Sequence, residues 1–110
     1  MNSKNYQFND SDILIVDDEP YNCMALINIL LGLGIDKGRI ATAYDGEAAL
    51  EKLGLSDGPI KKSRQFGLIF CDCSMPFMDG YELSKRIRTL TQHASSPKII
   101  AVTGHVEFDY

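Results

Sequence analysis

The chain has 110 residues, 45% hydrophobic and 24% charged, with a formal net charge of −4. That bounds it to one small domain with one core, and it argues against nucleic acid as a direct ligand, which would need clustered Lys and Arg. No run approaches the roughly 18 apolar residues of a membrane span and residues 1–12 hold no apolar signal core, so the expectation is a cytoplasmic protein (cytosol or nucleus) with no membrane partner.

Residues 1–11 are polar and are expected to be a flexible leader to a domain that otherwise occupies the whole chain. Ile13, Leu14, Ile15 and Val16 form a continuous apolar run, as expected of a strand covered on both faces, and the run ends in Asp17-Asp18. Pro20 suits the first turn of a helix, where its missing N–H costs nothing. Cys23, Leu26, Ile27, Leu30 and Leu31 then fall on one helical stripe, which Gly32 and Gly34 close.

Residues 40–44 read as a second, mixed strand, Asp45-Gly46 as a turn, and residues 47–53 as a short helix. Residues 54–65 hold two glycines, a proline and the basic cluster Lys61, Lys62 and Arg64, the pattern of a surface loop. Residues 66–71 form the third strand, which delivers Asp72 at its end. Asp79, with Glu82 three residues on, has the spacing of a helix cap. Leu83, Ile87 and Leu90 give the buried stripe of that helix. Lys98 to Val102 are a fourth strand, and Thr103 leads out of it.

The order β-α-β-α-β-α-β implies a parallel sheet with helices on both faces. Ligands of such sheets sit outside the carboxyl ends of the strands. Asp17, Asp18, Asp72 and Thr103 all fall at those ends. Carboxylates crowded together repel unless a cation intervenes, and Mg2+ suits a site of oxygen donors that also takes a phosphate. A carboxylate oxygen of Asp72 can then attack a phosphoryl group and form an acyl phosphate. The thiols of Cys23, Cys71 and Cys73 read as buried groups in a reducing compartment, since no second Cys or His pair gives Cys71 and Cys73 a matching metal spacing. His93 and His105 read as surface residues.

These residues resemble a response-regulator receiver domain of two-component phosphorelays. The matching features are Asp17-Asp18, then Ala43-Tyr44-Asp45-Gly46-Glu47, then Asp72 with Met75-Pro76 and Asp79-Gly80, and finally Thr103. The resemblance spans roughly residues 10 to 105. It implies a flavodoxin-like, doubly wound α/β fold with strand order 2-1-3-4-5. It implies Asp72 as phosphoacceptor and Mg2+ held by Asp17, Asp18, Asp72 and the backbone carbonyl of Ser74. Thr103 becomes the switch hydroxyl, and the donor becomes a phosphohistidine on a histidine kinase or histidine phosphotransfer protein. The expected activity is self-catalysed phosphotransfer within a signalling module, not turnover by a dedicated enzyme.

The resemblance departs at the C-terminal end. The family places a lysine at the end of a fifth strand, followed by a fifth helix; no lysine follows Lys98 here. The expectation is therefore an incomplete receiver with order 2-1-3-4, lacking the fifth strand and helix. Its fourth strand would have an open edge capable of self-association, and a phosphoryl group on Asp72 would lack a positive clamp. Two rival readings stand beside this one. A receiver-like interaction domain that is never phosphorylated would need no Mg2+. An aspartate-based phosphohydrolase would need a second acid two residues after the nucleophile, where this chain has Ser74.

Overall fold

A computed structural model describes residues 11–55, 65–75, 78–91 and 96–102. The expected N-terminal leader, most of the expected 54–65 loop, Pro76, His93, Thr103 and His105 lie outside the described residues. The elements run β1 (Asp12–Val16), α1 (Pro20–Gly32), β2 (Ile40–Ala43), α2 (Gly46–Lys52), β3 (Phe66–Asp72), α3 (Gly80–Leu90) and β4 (Lys98–Val102), with a 3-10 turn at Lys37–Arg39 leading into β2.

The strands form one sheet in the order β2-β1-β3-β4, with every pairing parallel. Strand β1 lies between β2 and β3 and is covered on both faces, which is why its sequence is apolar without alternation. Ile13, Leu14, Ile15 and Val16 are all at most 2% exposed. Ile13 and Ile15 face α1, packing with Cys23, Leu30 and Leu68. Leu14 and Val16 face the other way, into a cluster with Ala49 and Leu50 of α2 and Leu83 and Ile87 of α3. One helix therefore covers one face of the sheet and two cover the other, a doubly wound arrangement.

Two glycines end helices by the same device. Gly34 (φ 94°) and Gly54 (φ 76°) occupy the left-handed region. After α1, the Gly34 N–H donates to Leu31 O and the Ile35 N–H to Leu30 O. After α2, the Gly54 N–H donates to Glu51 O and the Leu55 N–H to Leu50 O. Both are Schellman closures, which satisfy carbonyls the helix leaves orphaned and fold the following apolar residue onto the core.

Two residues of the expected stripes turn outward. Leu31 is 38% exposed and Leu90 is 53% exposed. The buried line of α1 runs through Cys23 and Leu30, seven residues apart, so Leu31 sits one helical step off it. Leu90 ends α3 and lines an open cleft shared with Leu50 and Leu55 of the α2 side. Strand β4 is an edge strand among the described residues, and its Ile100 and Val102 are each 37% exposed.

Candidate functional site

Parallel strands all end on the same side of the sheet, so β1 and β3 deliver their following residues to one place. In register, Val16 pairs with Cys71, which brings Asp17 and Asp18 beside Asp72. One carboxylate oxygen from each of Asp17, Asp18 and Asp72 lies within 4.8 Å of the other two. Asp17 is buried, at 8% exposed, and Asp18 and Asp72 are half-buried.

Backbone groups hold these side chains in place. The Asp17 carboxylate accepts a hydrogen bond from the Glu19 N–H (2.9 Å), and the Asp17 N–H donates to Ala43 O at the end of β2 (3.1 Å). The Asp72 carboxylate accepts from the Ser74 N–H (3.2 Å). The Cys73 N–H donates to Val102 O (3.2 Å), tying the exit of β3 to β4. Asp17 and Asp72 help line a groove of about 350 Å³, together with Leu26, Phe70 and Ile100.

The electrostatics follow from crowding. Burial is the largest influence on Asp72 and pushes its carboxyl above the ordinary range. The Ser74 N–H pulls it back, while the Asp17 and Asp18 charges and a side-chain hydrogen bond with Asp18 push it up again. A cation among the three carboxylates would offset their mutual repulsion. The donor set fits Mg2+, with hard oxygen atoms, few protein ligands and two carboxylates only half-buried.

The thiols do not compete for this role. Cys23, Cys71 and Cys73 are free. Burial and the neighbouring carboxylates push Cys23 up to about 11. Burial, then Cys73 and the nearby carboxylates, push Cys71 up to about 12. Cys73 is also raised, by burial and then by Asp72 and Asp79. Cys23 and Cys71 are buried, as expected of these thiols. Cys73 is only half-buried.

Of the expected site residues, the structure brings Asp17, Asp18 and Asp72 together and sets Ser74 against Asp72 through its N–H. Thr103 lies outside the described residues, but Val102, which precedes it, pairs with Asp72 in the register of β3 and β4. The pattern of side chains gave no sign of the Glu19 N–H, because a backbone donor has no sequence signature beyond the turn that aims it. Asp79 serves as the expected cap, accepting from the Glu82 N–H (2.9 Å), while the Glu82 carboxylate lies 3.5 Å from Arg86 Nε.

Comparison with known proteins agrees with this geometry. The family model described as response regulator receiver domain matches residues 13–110. The chain is 40% identical over 98 residues to the transcriptional regulatory protein ZraR of Klebsiella oxytoca, covering 89% of this chain and 19% of that protein. It is 33% identical over 96 residues to hybrid signal transduction histidine kinase L of Dictyostelium discoideum, covering 86% of this chain and 5% of that protein. The chain thus spans a fifth or less of the length of these curated relatives. Among solved structures it is similar to response regulator TrrA of Thermotoga maritima in complex with Mg(2+)-BeF. The TM-score is 0.67 and the identity 31%, over 87% of this chain and 71% of that one.

Proposed function

This chain belongs to the response regulator receiver family, and from that premise we propose that Asp72 is its phosphoacceptor in a Mg2+-dependent phosphorelay. The observation that carries the reading is the convergence of Asp17, Asp18 and Asp72 at the ends of two neighbouring strands. Asp17, Asp18, Asp72 and the Ser74 carbonyl would hold the ion. When bound, Mg2+ supplies positive charge that offsets the carboxylates and the equatorial oxygens of a transferring phosphoryl group.

The chain's own residues do the rest. Asp17, anchored by the Glu19 N–H, keeps one side of the pocket rigid. The Ser74 N–H holds one Asp72 oxygen, which leaves the other to attack. That oxygen forms a bond to phosphorus as the P–N bond to the donor histidine breaks. The imidazole leaves with the electron pair and takes a proton from solvent, and Asp72 becomes an acyl phosphate. Thr103, one residue beyond the Val102 that pairs with Asp72, is the hydroxyl that would report the new group. The donor we assign is a histidine kinase or histidine phosphotransfer protein in the cytoplasm, where free thiols such as these three persist.

The output is a shift between surface states, not turnover of a metabolite. A second association is favoured by Ile100 and Val102, which stand exposed on the strand that is outermost among the described residues: pairing of β4 with another copy of this chain. Intact-mass analysis after incubation with acetyl phosphate and Mg2+ tests the main reading. One added phosphoryl group is expected, lost without Mg2+ and lost in Asp72→Asn. Labelling that survives Asp72→Asn contradicts the assignment. A chain that takes no label and shows no binding of Mg2+ fits the interaction-only alternative.

A further inference from the structure

We propose that Gly80 is a positioning residue for the phosphoacceptor: its missing side chain lets the start of α3 rest directly on the Asp72–Cys73 peptide and so fixes where the Asp72 carboxylate stands. The inference rests on Asp72 being the phosphoacceptor and adds how that residue is aimed.

A Cβ placed on Gly80 would lie 2.5 Å from the Asp72 carbonyl oxygen, 3.2 Å from its carbonyl carbon and 3.1 Å from Cys73 Cα. All three are backbone atoms, which cannot swing aside as the end of a side chain can. Either α3 or the Asp72–Cys73 peptide must move. Helix α3 is anchored: Leu83 and Ile87 are fully buried in the core, and Asp79 caps its first turn.

The peptide is held from its other neighbours as well. The Cys73 N–H bonds to Val102 O (3.2 Å), and the Cys71 thiol reaches the Asp72 carbonyl (3.6 Å). A shift on the β3 side reaches the pocket directly. There the Ser74 N–H reaches the Asp72 carboxylate at 3.2 Å, toward the long end for such a bond. A shift of that exit moves both the nucleophile and the Ser74 carbonyl expected to bind the ion.

Two other tight glycines separate this role from simple packing. A Cβ at Gly46 would meet the Met78 side chain, at 2.6 Å from its Sδ, and one at Gly67 would meet the Ser11 side chain. Gly67 lies at the opposite end of β3 from Asp72. An alanine there strains the same strand without touching the pocket.

The test compares Gly80→Ala and Gly67→Ala with the unaltered chain in three measurements. These are melting by circular dichroism, Mg2+ affinity by titration calorimetry, and the rate of labelling by acetyl phosphate. Gly80→Ala is expected to stay folded yet lose about tenfold to hundredfold in labelling rate, as displacements of about 1 Å do, and to bind Mg2+ several-fold more weakly. Gly67→Ala is expected to melt earlier while keeping both other values within about twofold of the unaltered chain. Gly80→Ala labelled and loaded like the unaltered chain overturns the positioning role and leaves Asp72 as phosphoacceptor. A Gly80→Ala chain that is unfolded where Gly67→Ala is folded assigns Gly80 to the fold alone and overturns the role too. An unaltered chain that takes neither label nor Mg2+ overturns the phosphoacceptor reading and, with it, anything for Gly80 to position.

Discussion

Replacing Asp72 with Asn should stabilise the protein in the absence of divalent cations. Two unit charges 4.8 Å apart, the outer separation of the carboxylate oxygens, repel by about 3 kcal/mol at an effective dielectric constant of about 20. In water the figure is about 1 kcal/mol. Asp72 faces two such neighbours, but it and Asp18 are only half-buried, so solvent screening holds the combined relief to roughly 1–3 kcal/mol. Asn keeps an oxygen that can accept from the Ser74 N–H, so that hydrogen bond need not be lost. For a domain of this size, the relief corresponds to a rise in Tm of roughly 5–15 °C near pH 7.

The advantage of the variant shrinks when Mg2+ is added. Ligand present at about a hundred times its Kd stabilises a folded protein by about 2.7 kcal/mol. Asp72→Asn, short of one carboxylate, should gain much less. The pH dependence follows from the raised Asp72 carboxyl. Between the ordinary carboxylate range and the raised value, the folded state holds more protons than the unfolded state. Stability of the ion-free chain therefore increases as pH falls through that window and is lost as pH rises through the folded pKa. Asp72→Asn should lack this contribution. Thermal melts followed by circular dichroism, with EDTA or Mg2+ from the ordinary carboxylate range up to neutral pH, read all three effects. An ion-free Asp72→Asn chain less stable than the unaltered one at pH 7, or equal stabilisation of both by Mg2+, would refute the reasoning.

Other positions give sharper local tests. Leu83→Ala empties a fully buried site in the cluster beneath α3 and should cost about 2–5 kcal/mol in denaturant unfolding. Asp79→Ala removes the acceptor of the Glu82 N–H and should cost about 1 kcal/mol by the same assay. Gly34→Ala puts a Cβ at φ 94°; about 1 kcal/mol of destabilisation is expected, although no atom stands within 4 Å of the new carbon, so a neutral result would show that the turn relaxes. Ile100→Lys should abolish any concentration-dependent dimer seen by size-exclusion chromatography; a dimer unaffected by it lies on some other surface.

The fold was legible where apolar residues repeat with a clear period or run without a break. Residues 13–16 and 66–71 announce buried strands, and the carboxylates that end them announce the pocket. Pro20, Gly34 and Asp79 mark helix ends because each satisfies or omits a backbone group that only certain residues can. Leu31 and Leu90 were misassigned to the core for a simple reason. Periodicity places a residue on a helix, but how much of that helix the sheet covers is a tertiary fact. The role of Gly80 was hidden differently. Asp79-Gly80 reads as a cap and turn, and nothing in a sequence says that the Asp72 backbone will lie against that glycine. The anchoring of Asp17 by the Glu19 N–H was hidden likewise, since any residue at position 19 would carry the same donor.

The most direct measurement of the central claim is to locate the phosphoryl group chemically. The chain is incubated with acetyl phosphate and Mg2+, reduced with borohydride, digested and sequenced by tandem mass spectrometry. An acyl phosphate on an aspartate is converted to homoserine, which marks the residue that carried it. The proposed assignment predicts homoserine at position 72. Homoserine at Asp17, Asp18 or Asp79, with Asp72 unchanged, would contradict it.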